Sequence, residues 1–95
     1  MSKKDAMIQK AEARLDQINA ELDQLKAKAR AAGADAKLEV QRELDDLQSK
    51  RDAFATKVTK LRDSGESALG DVADGFERAW TSLSDSLKRA SARFS

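Results

Sequence analysis

Residues 29–37 read ARAAGADAK. Everything about the fold turns on whether a helix passes through Gly33 or stops there. Upstream, apolar residues recur at Ile8, Ala11, Leu15, Ile18, Leu22, Leu25, Ala29 and Ala32, alternating steps of three and four. Such a pattern is a heptad seam, the stripe that one helix of a coiled coil offers another. Its flanks are polar or charged, at Glu12, Arg14, Asn19, Glu21, Lys26 and Lys28. Downstream, Val40, Leu44, Leu47, Arg51, Phe54, Val58 and Leu61 form a second seam. Gly33 followed by Asp35 could be a C-cap glycine and then an N-cap aspartate. Against a stop, the flanks are almost all alanine and lysine, which are strong helix formers, and one interior glycine costs only about 1 kcal/mol. The seams also hand over smoothly through 22, 25, 29, 33, 36, 40 and 44. These 11-residue repeats suit a straight or slightly right-handed helix. The pattern therefore predicts one continuous helix over about 3–63, with Gly33 as the candidate hinge. A turn there would instead give a three-helix hairpin with less drive to associate.

A second break falls in LRDSGESALGD, residues 61–71. Lys60 and Arg62 sit where the last turn of a helix favours cations. Gly65 offers a left-handed cap, and Asp63 with Glu66 has capping-box spacing. The signals place a turn at 63–66. Beyond it a third seam runs through Leu69, Ala73, Phe76, Trp80, Leu83, Leu87, Ala90 and Phe94, widened by Val72 and Ala79. The expected architecture is all-α: a long helix followed by a shorter antiparallel one over about 66–94, in a coiled-coil bundle. One domain spans 1–95, with 1–2 and 95 frayed. At 1.5 Å per residue the two helices measure roughly 90 and 43 Å. The shorter covers only the second half of the longer. Leu44, Leu47, Phe54, Val58, Leu61, Leu69, Phe76, Trp80, Leu83 and Leu87 then form the intrachain core. Ile8, Ala11, Leu15, Ile18, Leu22, Leu25 and Ala29 are left bare. Each Leu or Ile buried there is worth about 1.5–3 kcal/mol, so a homodimer or larger bundle is expected. The charged member of the second seam, Arg51, is either a tolerated imperfection whose stem covers apolar surface or a register-fixing polar layer.

Composition narrows the function. The 95 residues carry 18 Lys/Arg and 17 Asp/Glu, with no Pro, Cys or His. Charge is spread evenly: residues 1–32 hold 7 cations and 5 carboxylates, 33–63 hold 7 of each, and 64–95 hold 4 and 5. No third is a basic arm, so nucleic acid is not an expected partner. Without Cys or His there is no disulfide, no usual zinc site, no His- or Cys-dependent triad and no Glu-x-x-His di-iron motif. Glu43 and Asp46 read as a solvated face. DVADGFE only superficially resembles a calcium loop, and Gly65, Gly70 and Gly75 lie in no phosphate-loop context. The reading is non-enzymatic, with no cofactor or small-molecule substrate. No apolar run resembles a signal peptide or membrane span, and the cytoplasm is the default compartment.

The last stretch, GFERAWTSLSDSLKRASARFS at 75–95, is Ser-faced and carries the only Trp. Phe76, Trp80, Leu83 and Leu87 read first as core. A second reading adds Phe94 and lays this face on a lipid or granule surface, since interfacial helices combine aromatic anchors with a polar face.

Several strings resemble a widespread family of short bacterial coiled-coil proteins whose members are labelled stress-response or hypothetical: KKDAMIQK, LDQINAELDQLKAKAR, GADAKLE, KRD at 50–52, ERAW and ARF. The matching residues include Asp5, Ile8, Leu15, Asp16, Asn19, Glu21, Leu25, Asp35, Glu39, Glu77, Trp80, Arg93 and Phe94. Where the family tends to carry Tyr, this chain has Met7 and Val40, and its last helix is more Ser-rich and less acidic. The resemblance implies a cytoplasmic helical protein and carries no defined molecular activity; the stress-response label of its members suggests a structural or scaffold role in stress. Relatives lacking glycine at the place of Gly33 favour continuity there. Phasin-like granule-coating proteins are a weaker resemblance, resting on amphipathic helices and absent cysteines.

Overall fold

Ser2 opens the first helix. Its Oγ accepts the Asp5 backbone N–H at 3.1 Å, and its carbonyl accepts that of Ala6, also at 3.1 Å. A serine at the helix start that accepts the N–H three residues on is a capping arrangement. The computed structural model describes residues 2–31 and 33–93, and of residues 34–36 the backbone alone. It contains three α-helices: α1 (Lys3–Ala31), α2 (Ala34–Asp63) and α3 (Leu69–Arg93). A short 3-10 turn, Glu66–Ala68, precedes α3. The fold is all-α, with no strand among the described residues.

The continuous helix over 3–63 is not what forms. Helix stops at Ala31 and restarts at Ala34, with Gly33 as N-cap in extended backbone (φ −67°, ψ 160°). Asp35, expected as the cap, lies inside α2. The physical reason is burial. A straight rod would leave the seam of α1 in water, whereas folding back places Ala11, Ile18, Leu22 and Leu25 at 3% exposure or less. Each large side chain among them contributes about 1.5–3 kcal/mol. Local preference for helix at Gly33 is weak by comparison, since glycine is the poorest helix former after proline.

At the second break, Ser64 and Gly65 are both extended, with φ near −75° (−75° and −76°). Gly65 is not the left-handed cap expected, and no side chain caps the 3-10 turn. Instead the Ser64 hydroxyl donates back to Leu61 O at 2.8 Å, and Lys4 Nζ donates to Ser64 O at 2.7 Å.

Cross-helix ties fix the topology. Lys4 reaches Ser64, Glu12 pairs with Arg62, and Asn19 accepts from Arg51, so α1 and α2 are antiparallel. Arg93 pairs with Glu39 and Glu43, and Lys50 donates to Ser86, so α2 and α3 are antiparallel. Helices α1 and α3 run parallel, both touching at Arg14 and Glu77. The longest dimension is 51 Å, one helix length rather than a 90 Å rod.

One core runs the length of this up-down-up bundle. Helix α2 supplies Val40, Leu44, Leu47, Phe54, Val58 and Leu61, and α3 supplies Phe76, Leu83, Leu87 and Ala90. Of the residues expected in the intrachain core, Leu69 and Trp80 are half-buried at its edge and the rest are buried. Phe54, fully buried, stacks tilted against Phe76 (centroids 4.9 Å) and Trp80 (5.8 Å).

Truncating this core should be costly: Leu22→Ala and Phe54→Ala are each expected to lower unfolding free energy by about 2–5 kcal/mol. Leu38→Ala, at a side chain 65% exposed, should stay within about 0.5 kcal/mol. Urea melts followed by circular dichroism check both.

Candidate functional site

The residues expected to bind a second copy lie within the chain's own bundle. Ala11, Ile18, Leu22 and Leu25 are buried, while Ile8, Leu15 and Ala29 are half-buried and packed on the core. The closed bundle therefore offers no bare α1 stripe, because the turn at Gly33 brings α2 and α3 over it. The residues considered for lipid are also turned inward: Phe76, Leu83 and Leu87 are buried and Trp80 is half-buried. Phe94 lies outside the described residues.

Polar seams run along the surface between the helices. The most developed joins α1 and α3. The Arg14 guanidinium lies over the faces of Phe76 (5.4 Å) and Trp80 (4.8 Å), attracted by the negative face of each ring. Its Nη1 donates to Glu77 Oε1 at 2.9 Å, and Lys10 Nζ stands 3.5 Å from the same oxygen. Partial burial pushes the Glu77 carboxyl up, but Arg14 and then Lys10 outweigh it and hold it below its ordinary value. Arg14 stood in the sequence only as a polar flank. The signal that could have exposed its role is its place beside the α1 seam, facing the chain's sole Trp.

The second seam joins α1 and α2. Arg51 Nη1 donates to Asn19 Oδ1 at 2.9 Å. Its buried Nε lies 2.9 Å from Asp52 Oδ1 but is not aimed at it, so no hydrogen bond satisfies that N–H. Arg51 thus has a polar partner across the α1–α2 seam, while its Nε is left unsatisfied.

The third lies in a groove between α2 and α3. Ser86, 8% exposed, accepts from Lys50 Nζ at 2.6 Å and from Arg89 at 3.4 Å. Lys50 also lies 3.6 Å from Asp46, and Arg93 pairs with Glu43. Glu43 and Asp46 are thus held by separate cations rather than facing one another. Lys50, Arg89 and Arg93 line the groove with Glu43 and Asp46, and Lys50 and Arg93 are each paired with one of these carboxylates. The burial of Ser86 was not foreseen, although spacing carries the signal: Val72, Phe76, Ala79, Leu83, Ser86 and Ala90 step by four and three along one face of α3.

Among the described residues no three His, Cys, Asp or Glu side chains come together as a metal site. DVADGFE, with Gly70 and Gly75, is ordinary helix within α3 rather than a loop. No described helix is long and apolar enough to cross a membrane. Comparison with protein families, characterised proteins and solved structures finds no match for the chain.

Two outcomes are expected. Arg51→Ala should cost about 1–3 kcal/mol by opening the α1–α2 seam, whereas Asn19→Leu combined with Arg51→Met should equal or exceed wild-type stability, read by urea melts. For Glu77, a lowered folded-state pKa means its contribution is whole above the ordinary carboxylate pKa and is lost as pH falls through the lowered value. Glu77→Gln should therefore flatten the loss of stability over that acidic window, measured by melts at stepped pH.

Proposed function

We propose that the protein is a non-enzymatic helical-bundle protein with a structural, stress-associated role, exerted by reversible self-association of its helices. The observation that carries this reading is that helix-to-helix packing is the most developed chemistry among the described residues. Every helix contributes to a single apolar core, and the polar side chains clustered between helices tie one helix to another. A seam of this kind fits the helices of another copy as well as its own. The stress-associated part rests on the resemblance to short bacterial coiled-coil proteins. Sedimentation equilibrium over a micromolar-to-millimolar series tests it: the mass should rise with concentration. A single monomeric mass throughout would reject self-association.

A second reading is favoured by one feature. Helix α3 separates its apolar and polar faces far more sharply than α1 or α2. Its residues 69–93 carry four cations and four carboxylates, so attraction to a lipid or granule surface would come from apolar burial rather than headgroup charge. The helix would have to leave the bundle to use that face. Adding highly curved neutral vesicles should then abolish the near-ultraviolet signal of Trp80 while helix content persists, and Phe54→Ala should strengthen binding by loosening the bundle. Protein that stays behind when vesicles float would discard this reading.

A further inference from the structure

We propose that the partner is a second copy bound by exchange of α1 across Gly33, giving a reciprocal dimer in which α1 and α2 run as one helix; this rests on the self-association reading above. In the open chain α3 stays folded on α2, and α1 swings out to lie between α2 and α3 of the other molecule. Every contact α1 makes at home is remade across the dimer, including Arg14 with Glu77, Asn19 with Arg51, Glu12 with Arg62 and Lys4 with Ser64. The closed and exchanged forms then differ chiefly at the hinge, the general condition for domain swapping.

Three observations place the hinge at Gly33. First, between the two heptad seams positions 22, 25, 29, 33, 36, 40 and 44 follow an 11-residue spacing, which a straight helix can carry on one face through Gly33. Second, Gly33 holds extended backbone open to any L-residue (φ −67°, ψ 160°), and a Cβ there would meet nothing within 4 Å. No left-handed conformation demands glycine, and as N-cap it has no side chain to satisfy the first turn of α2. Third, the other break is pinned: Ser64 is hydrogen-bonded to Leu61 O through its hydroxyl and to Lys4 through its carbonyl.

The experiment follows mass by light scattering. Gly33→Ala favours helix through the hinge about fivefold, so with two hinges per dimer it should tighten dimerisation about thirtyfold. A Gly-Ser-Gly insertion after Gly33 relaxes the turn and should give monomer only. Exchange itself is read by charge reversal in the Gly33→Ala background. One chain carries Lys10→Glu, Glu12→Arg and Arg14→Glu, reversing the α1 side chains that pair with Arg62 and Glu77. The other carries Arg62→Glu with Glu77→Arg, reversing the surfaces α1 meets. Each alone is mismatched, whether closed or self-paired. Mixed, they match at both sites only if α1 crosses between molecules, so a one-to-one heterodimer should form. Dimers of Gly33→Ala with no preference for the mixed pair would overturn exchange while leaving self-association standing. Wild-type oligomer with Gly33→Ala no tighter would do the same. Wild type and Gly33→Ala both monomeric at every concentration would overturn both.

Discussion

The burial of Ala11, Ile18, Leu22 and Leu25 against α2 and α3 is the contact on which the closed molecule depends. It exists only because the chain interrupts its helix at Gly33. Leaving α1 extended would preserve backbone hydrogen bonds across the junction, each worth about 0.5–1.5 kcal/mol net. It would also leave three large side chains wet, at about 1.5–3 kcal/mol each. Burial wins, and once α1 folds back the rest of the architecture follows. The antiparallel ties to α2 and the parallel approach to α3 are the one arrangement shown by Arg62, Arg51 and Arg14 together.

Polar contacts around this core select among arrangements more than they supply stability. The pairs of Arg62 with Glu12 and of Arg93 with Glu39 are largely exposed, and such pairs contribute little on average. Arg14 differs, because its side chain is 18% exposed and touches two aromatic faces as well as Glu77. It closes the seam where α1 and α3 meet least closely. Asn19 with Arg51, and Ser86 with Lys50, mark the other two seams. A helix rotated by one seam position would lose these partners.

The apolar faces were legible in the sequence because the step of three and four is a direct image of helix geometry. That is why Leu44, Leu47, Phe54, Val58, Leu61, Phe76, Leu83 and Leu87 could be assigned to a core, and why Ile18, Leu22 and Leu25 could be recognised as needing cover. The identity of the cover was not legible. A heptad stripe specifies a helical partner without saying whether it belongs to the same molecule, and that depends on whether the chain turns. At Gly33 local signals argued for continuity: alanine and lysine flanks, and a seam that hands over in phase. Tertiary burial overrode them. Gly65 failed for the opposite reason, since a glycine at a helix end invites a left-handed cap but an extended backbone closes the turn equally well. Arg14 beside the α1 seam and Ser86 on the α3 face were legible as positions, but their partners were not, because those depend on which residues face them across the bundle.

The most direct test of the folded-back α1 is a distance within one chain. Spin labels at Lys3 and Asp63, both exposed, would be measured by pulsed electron resonance in doubly labelled protein diluted with excess unlabelled chain at low concentration. The closed bundle brings these ends together, as the 2.7 Å bond from Lys4 to Ser64 requires, so a short separation, on the order of 10–20 Å with label arms, is predicted. A distance near 90 Å, that of an unbroken helix over the same residues, would contradict the account.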